Sequence, residues 1–163
     1  MKILIFTEGT IIMHKEAIGK SHKDIVNQVK EKEESVHEYK SYVPIGNAAE
    51  KLRTWARNGA AIIYLTSRKN AKEIKQIKEV LNKNKFPEGR ILSRKSNEEY
   101  KDIAERVIPN VLIEDDCESI GGASRMTFTN IKPSIKKKIK LIMVKEFGGI
   151  DHLSDNLKDL SKT

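Results

Sequence analysis

The sequence predicts a Rossmann-like α/β fold in three layers, α/β/α, with a central, mainly parallel sheet and a small helical insertion after the first strand. Three observations predict it. Short apolar runs rich in β-branched residues recur along the chain, amphipathic stretches at helical spacing separate them, and only residues 15–43 break the alternation. Strand–helix alternation of this kind is the pattern of a parallel sheet covered on both faces.

Residues 2–7 are an apolar run closed by Gly9 and read as a buried strand. Residues 22–40 read as a highly charged helix whose only clear aliphatic positions are Ile25, Val29 and Val36. Its narrow apolar stripe places it on the surface or over a cleft. Ser21 is positioned to cap it, with Asp24 set for a contact like that of a capping box. After Pro44 and Gly46, Asn47 is the predicted N-cap of a helix carrying Ala48, Ala49, Leu52, Trp55 and Ala56, which Asn58-Gly59 ends.

Residues 60–65 are the second buried strand, and residues 70–84 form a helix with Ile74, Ile77, Val80 and Leu81 on one face. A short third strand over 89–92 and a helix over 97–107 follow. Val111, Leu112 and Ile113 make the fourth strand, which runs into an acidic turn. Residues 139–144 read as a fifth strand and 150–160 as a closing helix. No internal repeat or low-complexity linker divides the chain, so residues 1–163 are expected to form one domain, with 15–43 as a minimal cap.

A hydrophobic share of 38% against 33% charged fits a globular chain rather than a disordered one. No apolar run has the length to span a bilayer, and the apolar start is too short for a signal peptide. The lone Cys117 excludes an internal disulfide and suits a reducing compartment, so a cytoplasmic location is expected. The net charge of +8, from 31 basic and 23 acidic residues, favours anionic partners. Because the lysines alternate with glutamates along helix faces, the plain reading is solvated surface rather than a nucleic-acid patch. The five lysines of KPSIKKKIK, residues 132–140, read likewise as a charged sheet edge.

In a doubly wound sheet, sites form beyond the carboxyl ends of the strands. Three such ends are polar: Thr7-Glu8-Gly9-Thr10, Thr66-Ser67-Arg68 and Glu114-Asp115-Asp116. Converging carboxylates suit Mg²⁺, a hard ion that keeps positions for phosphate. A hydroxyl and backbone amides at a helix start suit the phosphate itself, and a nearby lysine would neutralise charge in phosphoryl transfer.

Residues 3–11, ILIFTEGTI, resemble the first motif of the haloacid-dehalogenase-like (HAD) superfamily, an apolar strand ending in Asp-x-Asp-Gly-Thr. Residues 43–68, ending in YLTSR, resemble the second motif and its approach, and 111–116, VLIEDD, the acidic fourth. Lys101 lies where compact members place the third-motif lysine, with Lys95 the alternative. The resemblance covers about residues 2–120. It implies a Rossmann-like core and Mg²⁺-dependent chemistry through an aspartyl-phosphate. It also implies phosphate binding by Gly9, Thr10, Thr66, Ser67 and Arg68, metal binding by Glu8, Glu114, Asp115 and Asp116, and catalytic roles for Glu8 and Lys101. Aligned on Gly9-Thr10, however, the nucleophile position holds Phe6, which can neither attack nor bind metal. In another hydrolase, loss of the nucleophile costs on the order of 10⁶-fold in rate.

The expected function is therefore binding of Mg²⁺ and a small phosphorylated ligand without aspartyl-phosphate chemistry. The alternatives are a metal-dependent phosphohydrolase using activated water, a basic nucleic-acid-associated protein, and a purely structural module. With aromatics at 6%, stacking platforms for nucleic acid are not expected. Cys117, beside acids, is not expected to be a reactive thiolate. His14, His22, His37 and His152 show no zinc-ligand spacing, and His14, just after the first motif, reads as a plain surface histidine ahead of one facing the cleft.

Overall fold

The computed structural model describes residues 1–162. Strand β1 (Lys2–Phe6) is followed by β2 (Ile12–Met13), α1 (His22–Lys30) and β3 (Val43–Pro44). Next come α2 (Ala48–Arg57), β4 (Ala61–Leu65), α3 (Ala71–Lys83), β5 (Arg90–Leu92), α4 (Tyr100–Val107) and β6 (Val111–Asp115). The chain then passes through α5 (Thr127–Asn130), α6 (Pro133–Lys136), β7 (Lys140–Val144) and α7 (Leu157–Leu160).

Five strands make one parallel sheet in the order β5-β4-β1-β6-β7. Alternate residues of each strand face opposite sides, which is what builds three layers. Ile3, Ile5, Ile62, Tyr64, Val111 and Ile113 bury against Leu52 and Trp55 of α2 and Ile77, Val80 and Leu81 of α3. On the other face, Leu4, Ile63, Leu65 and Leu112 bury against Ile103 and Ala104 of α4 with Ile131 and Ile139. Each Ile, Leu or Val among them contributes roughly 1.5–3 kcal/mol when fully buried. Among the described residues, no helix is long and apolar enough to cross a membrane.

The chain winds outward from β1 through β4 to β5, then crosses back to β6 and outward again to β7. Strand order therefore reverses beside β1, which opens a crevice at the carboxyl ends of β1 and β6. Phe6 stands beside Leu65, and Asp115 beside Val144, so the segments following these strands emerge on the same rim.

Residues 15–43 leave and return through a short antiparallel pair, Ile12 opposite Pro44 and Met13 opposite Val43. The single helix expected over 22–40 is shorter. Ser21 does cap α1, accepting from the Asp24 N–H at 3.2 Å, but the helix stops at Lys30 because Lys32 turns left-handed at φ 55°. Two 3₁₀ turns, Glu34–His37 and Tyr39–Ser41, continue the segment.

Asn47 is the N-cap of α2, but its own side chain caps nothing. The Asp151 carboxylate does so instead, accepting from the Asn47 N–H at 2.9 and 3.0 Å. Gly46 is required there: its φ is +53°, and a Cβ would stand 2.4 Å from Asp151 Oδ2. The helix expected over 150–160 is confined to Leu157–Leu160. The carbonyls that would have carried it serve α2, since Leu153 O accepts from Lys51 Nζ at 2.8 Å and Ser154 O from Trp55 Nε1 at 2.9 Å.

Candidate functional site

Strand β6 runs two residues further than its apolar core, so Glu114 and Asp115 belong to the strand rather than to a turn. Successive strand residues point to opposite faces, and the two acids diverge accordingly. Glu114 turns toward α5, where its carboxylate accepts from the Thr127 and Phe128 N–H groups, both at 2.8 Å. Asp115 turns into the crevice beside β1. There Thr10 Oγ1 donates to Asp115 Oδ2 at 2.8 Å, and the Cys117 N–H donates to Oδ1 at 2.9 Å.

The loop after β1 approaches Asp115 closely. Gly9 has φ +82°, and a Cβ on it would sit 3.0 Å from Asp115 Oδ2. Its carbonyl accepts from the Phe147 N–H at 2.7 Å, which draws the segment after β7 into the same crevice. Glu146 arrives with that segment. One oxygen each from Asp115, Asp116 and Glu146 lies within 4.8 Å of the others. Glu146 is held by Ser119, whose N–H and hydroxyl both donate at 2.7 Å, and its own N–H donates to Asp116 Oδ1 at 3.1 Å.

Burial raises the Asp115 carboxyl above its ordinary range, opposed by Thr10 and Cys117 and assisted by the Asp116 charge. Burial raises Glu146 as well, with the charges of Asp115 and Asp116 adding to it. Three crowded carboxylates, two of them buried, fit a hard divalent cation by donor type and by the charge they leave uncompensated. Cys117 is pushed well above the ordinary thiol range, first by burial and then by Asp115, Glu114 and Glu146. It is no thiolate.

Glu8 does not join the acids. Its Oε1 accepts from Thr66 Oγ1 at 2.6 Å and stands 3.4 Å from Arg68 Nε. Its Oε2 accepts from the Ser67 N–H at 3.3 Å and from the Thr7 hydroxyl. The hydroxyl, amide and guanidinium that follow β4 thus converge on one carboxylate. Arg68 in turn donates to the Tyr39 hydroxyl, and its Cζ lies 4.5 Å above that ring.

A cavity of about 420 Å³ joins these groups, with Glu8, Gly9, Ser67, Arg68, Asp115 and Glu146 in its wall. Residues of the insertion line it too, among them Val29, Lys32, Val36 and Tyr39. Phe6 also lines it, its ring set edge-on to Tyr100 at 5.1 Å. His14 faces the cavity while buried, with Nε2 3.0 Å from Gln28 Oε1.

Two candidates lie elsewhere. Lys101 pairs with Glu99 at 2.7 Å on the outer side of α4 and is absent from the cavity wall. Lys95 is exposed and does not line it either. Lys32, Arg68 and Arg125 carry the positive charge at the cavity instead. Glu146 and Phe147 escaped the sequence reading because nothing in Lys145-Glu146-Phe147-Gly148 is periodic or motif-like. A lone acid following a fifth parallel strand is the signal that would have pointed to Glu146.

No protein-family model matches this sequence, and no curated protein matches it. Among solved structures, a HAD family hydrolase from Deinococcus radiodurans R1, crystallised with bound phosphate and sodium, is similar over 87% of this chain and 79% of its own. The TM-score is 0.50 and the identity 12%. A universal stress protein in complex with cAMP matches over 88% of this chain and 95% of its own, at TM-score 0.38 and 13% identity, too loosely to carry an argument. The chain has a Rossmann-like α/β fold, the fold of that hydrolase.

Proposed function

We propose that this protein binds a divalent cation, Mg²⁺ by the chemistry of its ligands, together with a small phosphorylated molecule in the crevice between β1 and β6, and that it forms no aspartyl-phosphate. The observation that carries the reading is the placement of the Glu8 carboxylate on Thr66 Oγ1, the Ser67 N–H and Arg68. Those donors satisfy an oxyanion, and a phosphate oxygen has the same acceptor chemistry as the carboxylate now on them. Glu8 must rotate away as the phosphate arrives. Thr66, Ser67 and Arg68 then hold the phosphate, with Gly9 and Thr10 shaping the loop beside it.

Asp115, Asp116 and Glu146 would hold the cation, which when bound would neutralise charge on the phosphate. Glu114 is committed to α5 and stays outside this set. Phe6 presents only carbon to the cavity, so no side chain at that position can attack phosphorus. The insertion serves as a cap, since Val29, Lys32, Val36 and Tyr39 bound the space left for the ligand. A cavity of about 420 Å³ suits a small molecule rather than a polymer.

Hydrolysis is the second reading, favoured by the bound phosphate of the structurally similar hydrolase. It requires water in place of a side-chain nucleophile. Thermal melts with Mg²⁺ and inorganic phosphate test the first reading. Ligand at 100 times its Kd adds about 2.7 kcal/mol, which lifts Tm by roughly 5–10 °C in a chain of this size. Asp115→Asn should remove the Mg²⁺ part of the rise. An unchanged Tm with both ligands present would overturn the proposal. Release of phosphate from a phosphomonoester, lost in Asp115→Asn, would establish the second reading.

A further inference from the structure

A phosphate and its cation account for one end of the cavity only. The chain has nine aromatic residues, four Phe, four Tyr and one Trp. Five of them line this cavity: Phe6, Tyr39, Tyr42, Tyr100 and Phe147. Two of the four histidines, His14 and His37, join them. So few rings gathered around one space is a concentration that a phosphate does not require.

Their arrangement is continuous. Phe147 meets His14 at 6.2 Å, His14 meets Tyr42 at 6.4 Å, Tyr42 meets Tyr39 at 5.6 Å, and Tyr39 meets His37 at 6.4 Å. These contacts join the segment after β7 to the β2 end of the insertion and to its 3₁₀ turns. Phe6 and Tyr100 form a second pair from the core, 5.1 Å apart at 76°. Phe6, Tyr100 and Phe147 are only half-buried and line the cavity, Phe6 and Tyr100 while also packing against the core behind them. The arc is tied to the anion end by Tyr39, whose hydroxyl accepts from Arg68 and whose ring lies beneath that guanidinium.

We infer that these rings form a subsite for a planar aromatic group. Resting on the phosphate reading above, this makes the ligand an aromatic monophosphate, with its phosphate on Thr66, Ser67 and Arg68 and its ring among Phe6, Tyr39, Tyr42, Tyr100 and Phe147. The rings stand at steep angles to one another, 76° for Phe6 and Tyr100 and 53° for Tyr39 and Tyr42, which suits the offset and edge-to-face contacts aromatic groups prefer. The volume accommodates a one- or two-ring group beside a phosphate.

The test compares three probes by calorimetry and ligand-observed NMR in Mg²⁺: phenyl phosphate, glycerol 2-phosphate and indole. Phenyl phosphate should bind at least tenfold more tightly than glycerol 2-phosphate. Phe6→Leu, which keeps apolar bulk but removes the ring, should cut that ratio by about 3- to 10-fold. Tyr100→Leu should do the same and serves if Phe6→Leu fails to fold. Equal affinity for the two esters overturns the ring subsite and leaves the phosphate reading standing. Indole binding without either ester upholds the subsite and removes the phosphate reading. Binding of none of the three overturns both.

Discussion

Glu8 and Thr66 meet at 2.6 Å, Oε1 to Oγ1, across the carboxyl ends of two neighbouring parallel strands. The pairing depends on register. Phe6 lies beside Leu65, so each strand releases its next polar residues at the same height. A carboxylate thereby occupies the donors that the proposed phosphate would need.

Replacing Glu8 with alanine should therefore strengthen binding of inorganic phosphate in the absence of Mg²⁺. The ligand would no longer displace a competing anion, and Arg68 would lose its resident countercharge. The expected gain is about tenfold in Kd, or ~1.4 kcal/mol, read by isothermal titration. Weaker binding in Glu8→Ala would mean that Glu8 contacts the ligand or its cation directly.

Glu146 and Lys101 make a contrasting pair. Glu146→Gln should abolish the Mg²⁺-dependent rise in Tm, because one of three crowded anionic charges is lost. Lys101→Ala should leave that rise intact and change stability by less than about 0.5 kcal/mol, as for a solvent-exposed ion pair. Loss of ligand binding in Lys101→Ala would restore it to the site.

Asp151 acts at a distance from the cavity. Asp151→Ala leaves the Asn47 N–H at the start of α2 without its acceptor. Loss of a cap costs ~1 kcal/mol, and circular-dichroism melts should show Tm lower by roughly 2–4 °C. A Tm at or above that of the native protein would show that the contact contributes nothing.

The insertion should set ligand size. Val29 and Val36 line the cavity from it, and changing both to alanine should favour 1-naphthyl phosphate over phenyl phosphate by about tenfold relative to the native protein. An unchanged preference would show that residues 15–43 do not bound the ligand.

Much of the sheet was legible because parallel strands buried on both faces must be written as apolar runs. Ile3, Leu4 and Ile5, or Val111, Leu112 and Ile113, have few other places to go. The shared rim of Glu8, Thr66 and Asp115 followed from the same fact, since parallel strands place all their carboxyl ends on one edge. Helix ends were less legible where the deciding partner came from afar, as when Asp151 replaced the Asn47 side chain at α2.

By itself, then, the sequence determined the layers, the order of the polar strand ends and the place of Phe6 at the end of β1, all of which depend on local pattern and chain direction. Tertiary structure alone decided which groups touch. It turned Glu8 onto Thr66 and away from Asp115, sent Glu114 to α5 and Lys101 outward, and brought in Glu146. It also collected rings from positions 6, 39, 42, 100 and 147 around one space. Such choices rest on side-chain direction and on contacts between segments far apart in the chain, and neither carries a periodic signature.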